Sequence, residues 1–128
     1  MKVFTVEEAN ALLKNIRPKL EKIRDCYART QTMRESAKAA ANAAGFGGGM
    51  EGGTKYVESL YEIGKLTTEL NESGVQLKDY SRGLIDFPCN RDGEIILLCW
   101  QFGDGDEIEW WHEIEAGFAG RKSLDFEF

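Results

Sequence analysis

Asp86, Cys99 and His112 are the residues of this chain whose types could do chemistry together. A cysteine beside a histidine can supply a thiolate nucleophile, and carboxylate, thiolate and imidazole are all ligands for a transition metal such as zinc. The 128 residues include one histidine and three cysteines, Cys26, Cys89 and Cys99, and neither a CxxC nor an HExxH pattern occurs. Without such a motif the same residues also fit a structural role. His112 would then hydrogen-bond Asp86 or a backbone carbonyl, and Cys99 would be a small buried hydrophobe. The sequence predicts no cofactor and names no catalytic residue. A transition metal at Asp86, Cys99 and His112 is the alternative.

What could bring the three together is a β-meander. Residues 83–89, 94–102 and 107–114 are β-rich runs separated by Asp92-Gly93 and Asp104-Gly105, and Asp-Gly between such runs is a strong hairpin signal. Centring the first turn on Asp92-Gly93 pairs Asp86 with Cys99. Centring the second on Asp104-Gly105 pairs Cys99 with Trp110 and Leu97 with His112. Alternation along the strands then puts Asp86, Cys99 and His112 on one face, with Ile85, Phe87, Ile96, Leu98, Trp100 and Trp111 on the other. Both faces of the middle strand are apolar, so it needs cover on both sides. The ending LDFEF (124–128) or a second copy of the chain could provide the second cover.

The first half reads as helical. Thr5 and Glu8 form a capping box, opening a helix that continues to residue 44, with Val6, Ala9, Leu13, Ile16, Leu20, Ile23 and Tyr27 on a heptad seam. Pro18 interrupts the pattern and predicts a kink near residues 14–18 or two abutting helices. Residues 45–53, GFGGGMEGG, read as a flexible glycine-rich connector without the Lys-Ser/Thr ending of a phosphate loop. A second helix over 55–73, ended by Gly74, folds back antiparallel on the distal part of the first. The expectation is a single α+β domain over 1–128. It comprises a long helical hairpin, a three-stranded antiparallel meander over 83–114 packed on the first helix, and a tail over 115–128.

Two further segments carry possible chemistry. GFAGRK offers Gly117, Gly120 and Arg121 as an anion-binding turn, against a plainer reading in which Arg121 neutralises nearby acids. GDGDE (103–107) lacks the spacing and terminal glutamate of a calcium loop and reads as a turn. The formal net charge is −6, and residues 86–128 hold 11 acidic against 3 basic side chains. Such a half repels phosphate backbones, so no nucleic-acid partner is expected. No membrane partner is expected either, for want of a long apolar run. The acidic start of the chain and its unpaired cysteines predict a cytoplasmic location.

FTVEEANALL and IRP near the start, GVQLKD and GLIDFP at the centre, and LLCW, WWHE and GFAGR towards the end together resemble a family of short bacterial proteins, the domain of unknown function 2203. GDGDE and GRKSL depart from the family's turn and ending. The resemblance implies a bacterial origin and supplies no established activity and no catalytic residues. With no catalytic motif, the heptad seam and the two-sided sheet point to a non-enzymatic, self-associating interaction module, a homodimer or higher homo-oligomer. The rival is a metal- or thiol-dependent site at Asp86, Cys99 and His112.

Overall fold

The computed structural model describes residues 1–44 and 53–125; the glycine connector up to residue 52 and the last three residues of the tail lie outside them. Helix α1 is Val6–Ala44 and helix α2 is Gly53–Glu72. Five strands follow: β1 Gln76–Asp79, β2 Leu84–Arg91, β3 Glu94–Trp100, β4 Trp110–Glu113 and β5 Lys122–Ser123. They form one antiparallel sheet in chain order. The expected α+β class holds, and the three-stranded meander is corrected to five strands.

The capping box forms as read. Thr5 N–H donates to Glu8 Oε1 at 2.9 Å, and Glu8 N–H donates to Thr5 Oγ1 at 3.1 Å, satisfying two donors that a helix start leaves free. Glu8's carboxyl is held below its usual range by the Thr5 backbone and then its hydroxyl. Pro18 lies inside α1, yet α1 remains a single element and the division into two helices does not occur. The reason is burial on both sides of the proline: Leu13 and Ile16 before it, and Leu20 and Ile23 after it, pack into one core. That shared burial outweighs one missing backbone donor.

The core lies between α1 and one face of the sheet. Ile85 and Phe87 of β2 and Ile96, Leu98 and Trp100 of β3 meet Ala9, Leu13, Ile16, Leu20 and Ile23 of α1, with Leu66 and Leu70 of α2 closing one end. Helix α2 ends at Gly74 (φ 96°), whose N–H donates to the Asn71 carbonyl at 3.0 Å. Lys19 meets Glu69 at 3.2 Å, so α2 lies along α1 from about that level outwards.

The β2–β3 turn is tight, with Asp92 and Gly93 both at positive φ (51° and 88°), the pattern that makes Asp-Gly a hairpin signal. The β3–β4 connection differs from the two-residue turn expected there. Strand pairing stops at Trp100 and resumes at Trp110, because the intervening loop is tied down elsewhere. Ile108 N–H donates to Asn10 Oδ1 at 2.8 Å, Trp100 Nε1–H to the Gly105 carbonyl at 2.9 Å, and Arg17 meets Asp106 at 3.0 Å. The expected register survives, with Cys99 opposite Trp110 and Leu97 opposite His112.

Strand β3 is buried on both faces within one chain. Of the LDFEF ending, Leu124 packs on the α1 side of the core and residues 126–128 lie outside the described residues, while the burial of β3 within one chain needs no second copy. On the second face the chain turns back at the 3₁₀ turn Phe118–Gly120 and brings in Arg121, whose guanidinium lies 4.8 Å from the ring centres of both Trp110 and Phe118. The leftover apolar surface behind the dimer expectation is therefore covered here. Leu98→Ala, at a side chain with no exposure, should lower the unfolding free energy by about 2–5 kcal/mol in urea titrations.

Candidate functional site

The sheet register puts Asp86, Cys99 and His112 together. Asp86 is opposite Cys99, and His112 is opposite Leu97, one alternation away on the same face. All three are buried, at 3%, 0% and 2% exposure. One carboxylate oxygen, the thiol sulfur and one ring nitrogen lie within 4.8 Å of one another.

The hydrogen bonds specify where protons sit. His112 Nδ1 is 2.8 Å from the Glu113 carbonyl oxygen, an acceptor only, so Nδ1 carries a hydrogen and donates it. His112 Nε2 is 3.1 Å from Asp86 Oδ1. A protonated ring would donate to the carboxylate there, as a charge-assisted hydrogen bond. The Cys99 thiol hydrogen-bonds the same Asp86 carboxylate, and its pKa is pushed up to about 12, first by burial and then by the Asp86 charge, against the lowering effect of Arg121. Catalytic cysteines are shifted the other way. Burial and Asp86 thus hold Cys99 towards its protonated thiol at neutral pH.

Around the trio, Arg121 Nη2 donates to Asp104 Oδ2 at 2.7 Å, with both side chains about nine-tenths buried. Of the candidate anion-binding residues, Gly117 enters the 3₁₀ turn at φ 64° and Gly120 closes it, and Arg121 is paired with a carboxylate of the chain itself. The plainer reading of Arg121 as a neutralising group describes this geometry, with Asp104 as its partner and not a glutamate. On the opposite side of β4, Lys122 Nζ meets Glu113 Oε1 at 2.6 Å and holds that carboxyl below its usual range.

Sequence reasoning identified the three side chains and their shared face. It missed the Glu113 carbonyl, which fixes the histidine hydrogen, because a backbone acceptor has no sequence signature. It also missed the Asp104–Arg121 pair. Asp104 read as a turn residue, although an acid 17 residues from an arginine in a glycine-flanked turn was the available signal.

A helical hairpin laid on one face of an antiparallel five-stranded sheet, with carboxylate, thiol and imidazole buried on the other, defines an α+β protein with an internal polar centre. The chain belongs to the uncharacterised conserved protein family DUF2203, whose family model matches residues 2–124. Comparison with curated proteins and with solved structures yields no match.

The raised thiol pKa has a consequence for stability. A group whose pKa is raised on folding contributes stability that is complete below its ordinary value and lost as pH rises through the folded one. For Cys99 that window runs from 9.0 to about 12. Urea unfolding should show a fall approaching about 1.4 kcal/mol per pH unit within it, and Cys99→Ser should remove this part of the fall. Iodoacetamide at pH 8 should leave Cys99 unmodified in the native protein and alkylate it after denaturation.

Proposed function

We propose that this chain binds a divalent transition metal ion, with zinc the best match, through a carboxylate oxygen of Asp86, Cys99 Sγ and His112 Nε2. The observation that carries the reading is the Glu113 carbonyl on His112 Nδ1. Metal-binding histidines commonly donate their second ring N–H to such an acceptor, which leaves the other nitrogen's lone pair for the ion. Here that nitrogen points at a carboxylate and lies beside a thiol. The mixed oxygen, sulfur and nitrogen set suits a borderline ion more than a hard one such as magnesium or calcium.

The geometry needs little adjustment. Zinc–ligand bonds of about 2.0–2.3 Å place neighbouring tetrahedral donors roughly 3.3–3.8 Å apart. The Nε2–Oδ1 pair at 3.1 Å must open by a few tenths of an ångström. A donor pair at the 4.8 Å limit would close by about 1 Å. Three protein ligands leave a fourth position for water or a small ligand, as in zinc sites with an open coordination place. Self-association is a separate property and draws on a different surface, the outer face of α2.

Proton accounting makes the reading testable. Zinc takes the thiolate, so binding displaces the Cys99 thiol hydrogen. Affinity should therefore rise with pH near neutrality, by about tenfold per unit from this proton alone. Titrating the chelator-treated protein with zinc by calorimetry, in buffers of different ionisation enthalpy, should give one ion bound and at least one proton released. Cobalt(II) should develop thiolate charge-transfer absorption that Cys99→Ser abolishes. Asp86→Asn keeps the side chain's shape and should weaken zinc binding while the chain stays folded by circular dichroism. A folded wild-type protein that takes up neither zinc nor cobalt would remove the proposal.

A further inference from the structure

Helix α2 carries two stripes. Tyr56, Ile63, Leu66 and Leu70 are wholly or partly buried on the side towards α1 and the core. On the opposite side Val57, Leu60 and Tyr61 are exposed at 64%, 46% and 73%. With Gly64 and Thr68, both also exposed, they form a second line at the i, i+3, i+4, i+7 spacing of a helix seam. Nothing in the described chain covers it.

Gly64 is the telling member. Glycine is the poorest helix former after proline, and this one sits in the interior of a 20-residue helix. Its φ is not in the left-handed region, and a Cβ added to it would meet nothing within 4 Å. Neither backbone geometry nor packing within the chain requires a glycine there. What it supplies is a gap in the outer surface, directly beside the large exposed ring of Tyr61.

We infer that the outer face of α2 is a self-association surface, on which a second copy packs its own α2 antiparallel about a two-fold axis near residues 62–63. The stripe is complementary to itself in that arrangement. Tyr61 fills the gap over Gly64 of the partner subunit, and the same contact recurs across the axis, as a two-fold interface demands. Glu58 and Lys65, on one flank of the stripe and both exposed, each come alongside the opposite charge on the other copy. Neither has an ion-pair partner among the described residues of its own chain. A face that supplies both knob and hole, and both signs of charge, specifies its own copy over a partner of different sequence. One helix face is a small interface, so the expected affinity is weak, with a dissociation constant of roughly 1–100 µM.

The test is sedimentation of the full chain over a range of about 1–500 µM. The wild type should pass reversibly from 14.4 kDa to twice that mass. Gly64→Ala should raise the melting temperature of dilute protein, because alanine favours the helix and meets nothing, while weakening the dimer at least about tenfold by filling the gap. Lys65→Glu should dissociate the dimer, and adding Glu58→Lys to the same chain should restore it, because only matched copies then face opposite charges. A wild type that stays monomeric throughout overturns the inference and assigns the stripe to another occupant. A dimer indifferent to Gly64→Ala and Lys65→Glu overturns it too, as does failure of the double variant to re-form what Lys65→Glu has dissociated.

Discussion

A strand that is apolar on both faces needs two covers, and β3 sets this requirement for the whole chain. From Ile96 to Trp100 no side chain is more than 4% exposed, although the residues point alternately to opposite sides of the sheet. One side is met by α1, whose seam supplies large aliphatic groups at helical spacing. The other is met by the chain after β4, which turns back at Phe118–Gly120 and brings Arg121 over Trp110. The remaining elements follow from these two contacts. Helix α2 braces α1, and β1 and β5 extend the sheet on its two outer edges.

The two covers differ in chemistry, and so do the faces beneath them. Under α1 the core is hydrocarbon and aromatic. Under the C-terminal segment lie Asp86, Cys99 and His112, polar groups whose burial is costly unless their hydrogen bonds are met. They are met by one another and by the Glu113 carbonyl. Such a network gains strength from its dry surroundings and is equally vulnerable to losing one member. It also holds the Cys99 thiol hydrogen beside the position where the proposed cation would sit. That links the structural role of His112 with the proposed metal role, because the same orienting hydrogen bond on Nδ1 serves both.

How much of this was legible in the sequence depended on the range of the interaction. Thr5 with Glu8, Asp92 with Gly93, and the termination at Gly74 are local, and each formed as read. The shared face of Asp86, Cys99 and His112 was legible because strand alternation carries a local turn outwards without loss of phase. Pro18 did not divide the helix because its local penalty is opposed by burial of Leu13, Ile16, Leu20 and Ile23 against residues some 60 or more positions away. The Asp104-Gly105 hairpin misled for a related reason: Asn10 and Arg17 of α1 hold its loop open without changing the register. Strands β1 and β5 were missed because three half-buried residues with one exposed, and two exposed ones, carry almost no periodic signal.

The two covers also differ in how firmly they are held. The α1 side is secured by a continuous set of buried side chains running from Phe4 to Ile108. The 3₁₀ turn on the other side contributes no buried residue, and Ile114 and Phe118 are exposed at 55% and 37%. What holds that segment is the Asp104–Arg121 ion pair, the stacking of Arg82 and Arg121 on Phe118, and the bond from Leu124 N–H to the Glu109 carbonyl. Segments with little buried apolar surface open at lower free energy than those bound into a core. Arg121, whose charge is felt at Cys99, belongs to this thinner cover and not to the α1 core. The side of the sheet that carries the polar trio is thus the one whose packing opens at the lower free energy.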